Sequence, residues 1–135
     1  MLDNFMRQLS KDLQMDDPFE AVRPGIYEYW IEEDTVILIS TLTPFGFTLS
    51  SVLGPYPKDK EDDFFLSMMA GNLFGKETFG ATLGLDGNGH KMVLSREIDR
   101  RVNYPEFKEI LEDFFHIATF WREQAGLIKK EVSSP

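Results

Sequence analysis

Residues 71–91, GNLFGKETFGATLGLDGNGHK, contain the residue types of two different ligand sites. Gly71, Gly75 and Lys76 are typical of a phosphate-binding loop, in which glycine amides and a lysine hold a phosphate. The spacing is wrong, because a Walker A loop has four residues between its glycines and a hydroxyl residue after its lysine. Here three residues separate the glycines and Glu77 follows the lysine. The loop also leaves the negative end of a predicted helix, so we expect no nucleotide here.

The second ligand site suggested by this stretch is a calcium loop that begins at Asp86 and continues through Asn88. Such a loop needs a glycine at its sixth position, where this chain has Lys91, and its flanks should be helices. The flanking residues alternate as strands do. Because glycine and asparagine accept a positive φ, residues 86–89 instead predict the turn of a β-hairpin.

Catalytic patterns are absent from the rest of the chain. There is no cysteine and no Gly-x-Ser-x-Gly, and His90 and His116 have no partner at metal-ligand spacing. The paired carboxylates fall in predicted turns and helix starts, where solvated side chains are expected rather than acid–base catalysis. We therefore expect a protein that is not an enzyme and that uses no metal and no cofactor.

Composition predicts a single packed domain over residues 1–128 with a flexible tail over 129–135. Apolar residues make up 42% of the 135 residues, and twelve are phenylalanine. The formal net charge of −9 disfavours direct binding of nucleic acid or anionic lipid. The N-terminus resembles no signal peptide and the longest aliphatic run, 36–39, is too short to span a bilayer, so we expect no membrane insertion and a cytoplasmic location.

Hydrophobic periodicity predicts an α+β fold with the order α-β-β-β-α-β-β-α, in which a twisted antiparallel sheet packs with three helices. Short connections predict that the first three strands form a meander. Asn103 followed by Glu106 resembles a capping box, and Gly126 ends the last helix. The predicted helices cover 2–13, about 59–74, and 103 to 125, and the predicted strands cover 25–31, 35–40, 45–53, 78–85 and 91–98.

The chain also carries more large apolar side chains than one small domain needs. The first predicted helix has five of them on one stripe, and the strand GIYEYWI contributes three aromatic residues. One interpretation is an ordinary core, and the other is apolar surface kept for a partner.

Two segments resemble the class I type III secretion chaperones of the Tir-chaperone type. They are NLFGKETFGATLGLDGNGHKMVLSREI and, near the end, LEDFFHIATFWREQ. Members typically have a helix ending in Asn-Leu, a Gly-rich strand, a glycine-containing turn, a return strand like Leu94-Ser95-Arg96 and a last helix ending in an aromatic-Trp-Arg group. The element order and the length also match, whereas the linker MDDPFEAVRPGIY departs from the pattern.

The resemblance implies a small, acidic, dimeric chaperone of the bacterial cytoplasm that binds the extended N-terminal segment of one or more secreted effectors and keeps them secretion-competent. The second protomer would be the same chain or a related chaperone. An alternative is a partner-binding regulator of secretion-gene transcription on the same fold. An alternative of another class is a small-molecule-binding or enzymatic α+β domain.

The resemblance and the apolar pattern together give two sets of expected site residues. An extended segment is expected to bind the first helix and the first three strands. The effector-binding set is Leu2, Phe5, Met6, Leu9, Tyr27, Tyr29, Ile31, Leu38 and Phe47. In the family, the Gly-rich strand and the helix before it form the dimer interface. That set is Met69, Leu73, Phe74, Phe79, Ala81, Leu83 and Leu85. We further expect Phe5 to be accessible.

Overall fold

The computed structural model describes residues 1–56 and 80–128, which form two helices and five strands. Their order is α1 (Leu2–Asp12), β1 (Ile26–Glu32), β2 (Thr35–Thr41), β3 (Phe47–Pro55), β4 (Thr82–Leu85), β5 (Lys91–Ile98) and α2 (Tyr104–Gln124). This confirms the α+β class. The helix predicted over 59–74 and the tail over 129–135 lie outside the described residues, and the dimer stays a prediction.

All five strands form one antiparallel sheet in the order β1-β2-β3-β5-β4. The predicted meander and the predicted hairpin between β4 and β5 are both confirmed. β4 begins at Thr82 and is shorter than predicted, since residues 80 and 81 lie outside the strand. The reason is that Gly80 has a φ of +86°, which is not an extended conformation. β1 and β4 are the two edges of the sheet within the described part of the chain.

The ends of α2 follow the local sequence. The Asn103 side chain accepts a hydrogen bond from the backbone N–H of Glu106 at 2.9 Å, so Asn103 is the N-cap as predicted. The reciprocal half of the capping box is absent, since the Glu106 carboxylate instead pairs with Arg100 at 3.0 Å. Gly126 has a φ of +75° just past the helix, as a terminating glycine should.

The core lies between the inner face of the sheet and the two helices. Phe47 of β3 contacts Phe107 of α2 edge-on, with 5.2 Å between ring centroids, and Phe107 stacks on Phe5 of α1 at 4.9 Å. Burial of large apolar side chains of this kind is the main force that holds such a domain together. The fully buried large side chains include Met6, Ile37, Ile39, Phe47, Leu49, Met92, Leu94, Phe107, Phe114 and Trp121.

The start of β3 is fixed by a close backbone approach. Gly46 has a φ of +94°, and a Cβ at this position would overlap the carbonyl oxygen of Ile98 in β5. Only glycine meets both demands. The Gly-Phe pair at 46–47 therefore sets where β3 begins to pair with β5.

Candidate partner-binding surface

The apolar stripe of α1 is core, and the expectation that Phe5 is accessible is wrong. Leu2, Phe5, Met6 and Leu9 retain at most 7% of their surface. Phe5 lies against the rings of Phe107 and Tyr104. The physical reason is that α1 is the second helix on the inner face of the sheet, so its apolar side chains complete the core beside α2.

The inner face of β1 is largely buried as well. The Tyr27 hydroxyl donates a hydrogen bond to the Asp3 carboxylate at 2.5 Å, which ties β1 to the start of α1. Burial, and then this bond to a carboxylate, raise the pKa of Tyr27 from its ordinary value of 10.0 to about 12. Phe47 is fully buried. Tyr27 and Phe47 are therefore part of the protomer core, and a role for them in effector binding stays a prediction.

The other three members of the effector-binding set keep some accessible surface. Tyr29 and Ile31 are partly buried, and the Tyr29 ring stacks on Phe19 at 5.7 Å. Leu38 points to the opposite face of the sheet and is 38% exposed. A role for these three residues in binding stays a prediction.

The residues of the expected dimer interface fall into three groups: those outside the described residues, those buried within the protomer and one that is exposed. Met69, Leu73, Phe74 and Phe79 lie outside the described residues. Ala81 and Leu83 are already buried within the protomer, at 6% and 1% exposure, whereas Leu85 is exposed at the end of the edge strand β4. The assignment of these residues to a dimer interface stays a prediction.

The outer face of the sheet, which faces away from both helices, carries apolar side chains that sequence reasoning did not select. Trp30 pairs with Val36 across β1 and β2, and Val52 pairs with Val93 across β3 and β5. Trp30 and Val52 are exposed, and Val36 and Val93 are half-buried. A shallow cavity of about 320 Å³ runs along this face, and its lining includes Val36, Leu38, Val52 and Val93 with Asp34 and Lys91.

This outer apolar surface, defined by Trp30, Val36, Leu38, Val52 and Val93, left a signal in the sequence. The strand TVILIS is apolar on both faces, which a strand covered on one side only does not need. Val52 and Val93 gave no such signal, because each is the single apolar residue on its own face of the strand, flanked two residues away by Ser50 and Gly54 or by Lys91 and Ser95. Their juxtaposition depends on the register between β3 and β5, which lie about forty residues apart in the chain.

A second, more open cavity of about 490 Å³ lies beside the edge strand β1, between that strand and the linker that leads into it. The linker is held by its backbone, because the N–H of Phe19 donates to the Ser10 hydroxyl at 3.0 Å and the N–H of Val22 donates to the carbonyl of Ile26 at 2.9 Å. We call this cavity the linker groove. Its lining residues are Leu13, Met15, Asp17, Pro18, Phe19, Glu20, Val22, Glu28, Tyr29 and Trp30.

A buried arginine fixes the rim of the outer apolar surface. Arg122 of α2 is 5% exposed, and its guanidinium nitrogens lie 3.3 Å from Glu32 at the end of β1 and 3.6 Å from Asp34 in the turn that follows. Its Nε has no hydrogen-bond partner among the described residues. The ion pairs anchor the turn to the end of α2 and thereby position Asp34 at the end of the cavity.

The Asp86 carboxylate serves the hairpin turn. It accepts hydrogen bonds from the backbone N–H groups of His90 at 3.0 Å and Lys91 at 3.3 Å. Desolvation acts to raise the pKa of Asp86, but these backbone donors, with that of Asn88, outweigh it and lower the pKa below its ordinary value. Asp86 therefore has a structural role in the turn.

Within 1–56 and 80–128, no group of three or more histidine, cysteine or acidic side chains is arranged to hold a metal ion. Neither of the two described helices is both long and apolar enough to cross a membrane.

Comparison with known proteins adds three kinds of similarity. The model of the Tir chaperone protein (CesT) family matches residues 4–122. The Chlamydia pneumoniae protein CPj0713/CpB0740 is 29% identical over 131 residues, which are 96% of this chain and 100% of that protein.

Two solved structures show the same fold at low sequence identity. A chain of the HopA1–SchA chaperone–effector complex has a TM-score of 0.70 and 21% identity, covering 90% of this chain and 93% of its own length. A chain of the heterodimeric ExoU–SpcU complex from the type III secretion system of Pseudomonas aeruginosa has a TM-score of 0.68 and 15% identity, covering 96% and 98%.

Proposed function

Because the chain belongs to the Tir chaperone protein (CesT) family, we propose that it is a type III secretion chaperone. It binds the extended N-terminal segment of one or more secreted effectors and keeps them soluble and competent for secretion. Complexes of chaperones with effectors have the same fold, which supports this role. This chaperone activity consists of binding alone and needs no catalytic step. The protein acts in the bacterial cytoplasm.

The observation that carries the proposal is the outer apolar surface. Trp30, Leu38 and Val52 are 55%, 38% and 51% exposed on one face of a small sheet. Contiguous exposed apolar residues on a soluble domain mark a place where another molecule binds. A sheet face of this kind suits an extended segment, whose alternate side chains can pack against it.

The energetics fit a chaperone that holds a segment rather than an enzyme that encloses a small substrate. Ordering a flexible segment is unfavourable, so a long apolar contact must compensate for the lost entropy. The cavity along the outer surface is shallow and open, as an extended chain requires. The net charge of −9 keeps a protein with exposed apolar surface soluble.

The protein acts as a dimer in this proposal, either with a second copy of itself or with a related chaperone. β4 is an edge strand, and Leu85 is exposed at its end. An edge strand offers unpaired backbone groups to a second chain. Two protomers would double the length of surface along which one effector segment can bind.

The experiment replaces the gene in its host by variants and measures which proteins the host secretes. Leu38→Lys combined with Val52→Lys places two charges on the outer apolar surface, and both positions are exposed enough to leave the core intact. The matched control is Gln8→Lys combined with Gln124→Lys, at exposed positions of α1 and α2. We expect the first pair to abolish secretion of a client protein and the control pair to leave it unchanged.

Two accompanying measurements make the result decisive. Thermal unfolding of both double variants should match that of the unmodified protein, and light scattering should give the same mass for all three. Normal secretion with the Leu38→Lys/Val52→Lys variant, or in the complete absence of the protein, would contradict the proposed function.

A further inference from the structure

The residues at the base of the linker groove are held in position by contacts within the protein, before any partner binds. The Phe19 ring stacks on Tyr29 with an angle of 29° between the ring planes, and the backbone of Phe19 is anchored to Ser10. Ser10 is itself buried, and its hydroxyl donates to the carbonyl of Met6 at 2.9 Å. A preformed floor lowers the entropic penalty of binding, because the protein side need not be ordered.

The walls of the linker groove expose apolar side chains. Leu13, Val22 and Trp30 are 46%, 52% and 55% exposed, although each lines the same cavity. Trp30 also belongs to the outer apolar surface, so the groove continues that surface around the edge strand β1. A segment bound along the sheet would pass directly into the groove.

The charged side chains that line the groove are acidic. Among the residues that the structure describes, its lining includes the carboxylates of Asp17, Glu20 and Glu28 and no cationic side chain. None of the ion pairs formed among the described residues uses any of these three carboxylates. Apolar walls with three carboxylates that form no ion pair in the described part of the chain favour an occupant that carries both apolar and positively charged side chains.

We propose that the linker groove receives a stretch of the bound effector segment in which arginine or lysine stands beside an apolar residue. The inference rests on the proposed function and adds the chemistry that the segment must have. The apolar side chain would pack on Phe19 and Val22, and the cation would lie near the carboxylates and over the exposed indole of Trp30, which attracts cations at its face.

Charge also argues against a second copy of this chain as the occupant. Each copy carries a formal net charge of −9, so an acidic groove disfavours the surface of another copy. Nucleic acid and anionic lipid are disfavoured for the same reason. A segment with local positive charge is the occupant that the groove fits.

The test uses three synthetic 15-residue peptides with the same apolar residues and, at two central positions, arginine, glutamine or glutamate. Binding is followed by tryptophan fluorescence, because the chain has two tryptophans and only Trp30 is exposed, whereas Trp121 is buried. We expect the arginine peptide to bind at least ten-fold more tightly than the glutamate peptide at 50 mM NaCl. The contrast should shrink to about three-fold or less at 500 mM NaCl because salt screens the carboxylates.

Variants of the full chain locate the effect. Glu20→Gln with Glu28→Gln should weaken the arginine peptide about five- to ten-fold and leave the glutamine peptide unchanged. Glu28→Arg should reverse the preference toward the glutamate peptide. The matched control, Glu109→Gln with Glu112→Gln at exposed positions of α2, should alter none of the three affinities.

Several results would overturn the proposal. They are equal affinities for the three peptides, failure of all three to bind, and no effect of Glu20→Gln with Glu28→Gln. A fall from dimer to monomer by light scattering in Trp30→Ala would mean that a second protomer occupies the groove. The secretion assay with the Leu38 and Val52 variants uses neither the peptides nor the groove carboxylates. A negative result with the peptides would therefore overturn the proposal about the linker groove and leave the proposed chaperone function untouched.

Discussion

Replacing Phe5 by alanine tests most sharply whether α1 is core. Phe5 is 7% exposed and stacks on Phe107 at 4.9 Å, with Tyr104 at 6.1 Å. Truncating a buried phenylalanine leaves a cavity and removes its ring contacts, which together destabilise a domain by about 3–5 kcal/mol. The structure places Phe5 at the junction of both helices and the sheet, where collapse is hindered, so we expect about 4 kcal/mol.

The assay is urea unfolding followed by circular dichroism at one fixed protein concentration, since dimerisation makes stability concentration-dependent. Trp30→Ala is the matched comparison, because it removes a larger aromatic side chain that is 55% exposed. Less than half of that side chain is buried, so its loss should cost about 1 kcal/mol. Phe5→Ala should therefore lower the free energy of unfolding more than Trp30→Ala does, although phenylalanine is the smaller side chain.

The opposite pattern of stability and partner binding would show that α1 is not part of the core. If Phe5→Ala lowered the free energy of unfolding by less than about 1 kcal/mol and abolished partner binding, α1 would be a binding element after all. Trp30→Ala is expected to do the reverse, with weaker partner binding and a nearly unchanged fold.

Three further predictions concern the supports of the fold. Gly46→Ala should destabilise the domain by several kcal/mol in urea unfolding, because its Cβ would overlap the β5 backbone at a positive φ. Glu32→Gln with Asp34→Asn removes both negative partners of the buried Arg122 guanidinium. Because the two carboxylates are largely exposed, this change should cost about 1–3 kcal/mol, and Arg122→Met should cost less. The reverse order of the two costs in calorimetry would contradict the ion-pair account. Tyr27 has a folded-state pKa raised to about 12 from 10.0, so its contribution to stability should be complete below pH 10 and lost as pH rises to about 12. Tyr27→Phe should therefore reduce the fall of stability with pH in this range, and the remainder should come from Tyr104, whose pKa is also raised.

Local signals in the sequence were sufficient for most element boundaries. The strand predicted over 91–98 coincides with β5, because Met92, Leu94 and Ile98 alternate as a half-buried strand requires. The N-cap at Asn103 was also predictable from the sequence, since the side-chain oxygen of an asparagine just before a helical stripe can accept a hydrogen bond from a backbone N–H of the first turn. The resemblance to the Tir-chaperone type is confirmed by the family match.

The location of the accessible surface was not readable from the same signals. A stripe such as that of Phe5 and Met6 has the same periodicity whether it faces a core or a partner, and only the packing of α2 beside it decides. The outer apolar surface required the register that brings Val52 opposite Val93. Such pairings between distant segments leave no mark in a local pattern.

The proposed function requires that this protein binds the extended N-terminal segment of a secreted protein. The most direct measurement is limited proteolysis followed by native mass spectrometry of the protein purified from its own host with whatever it binds. We expect a complex in which the protected partner fragment comes from the N-terminus of a protein that the host secretes, and that protein should no longer be secreted when the gene of the chaperone is deleted. A protected fragment from a folded interior domain, or a retained small molecule in place of a protein, would contradict it.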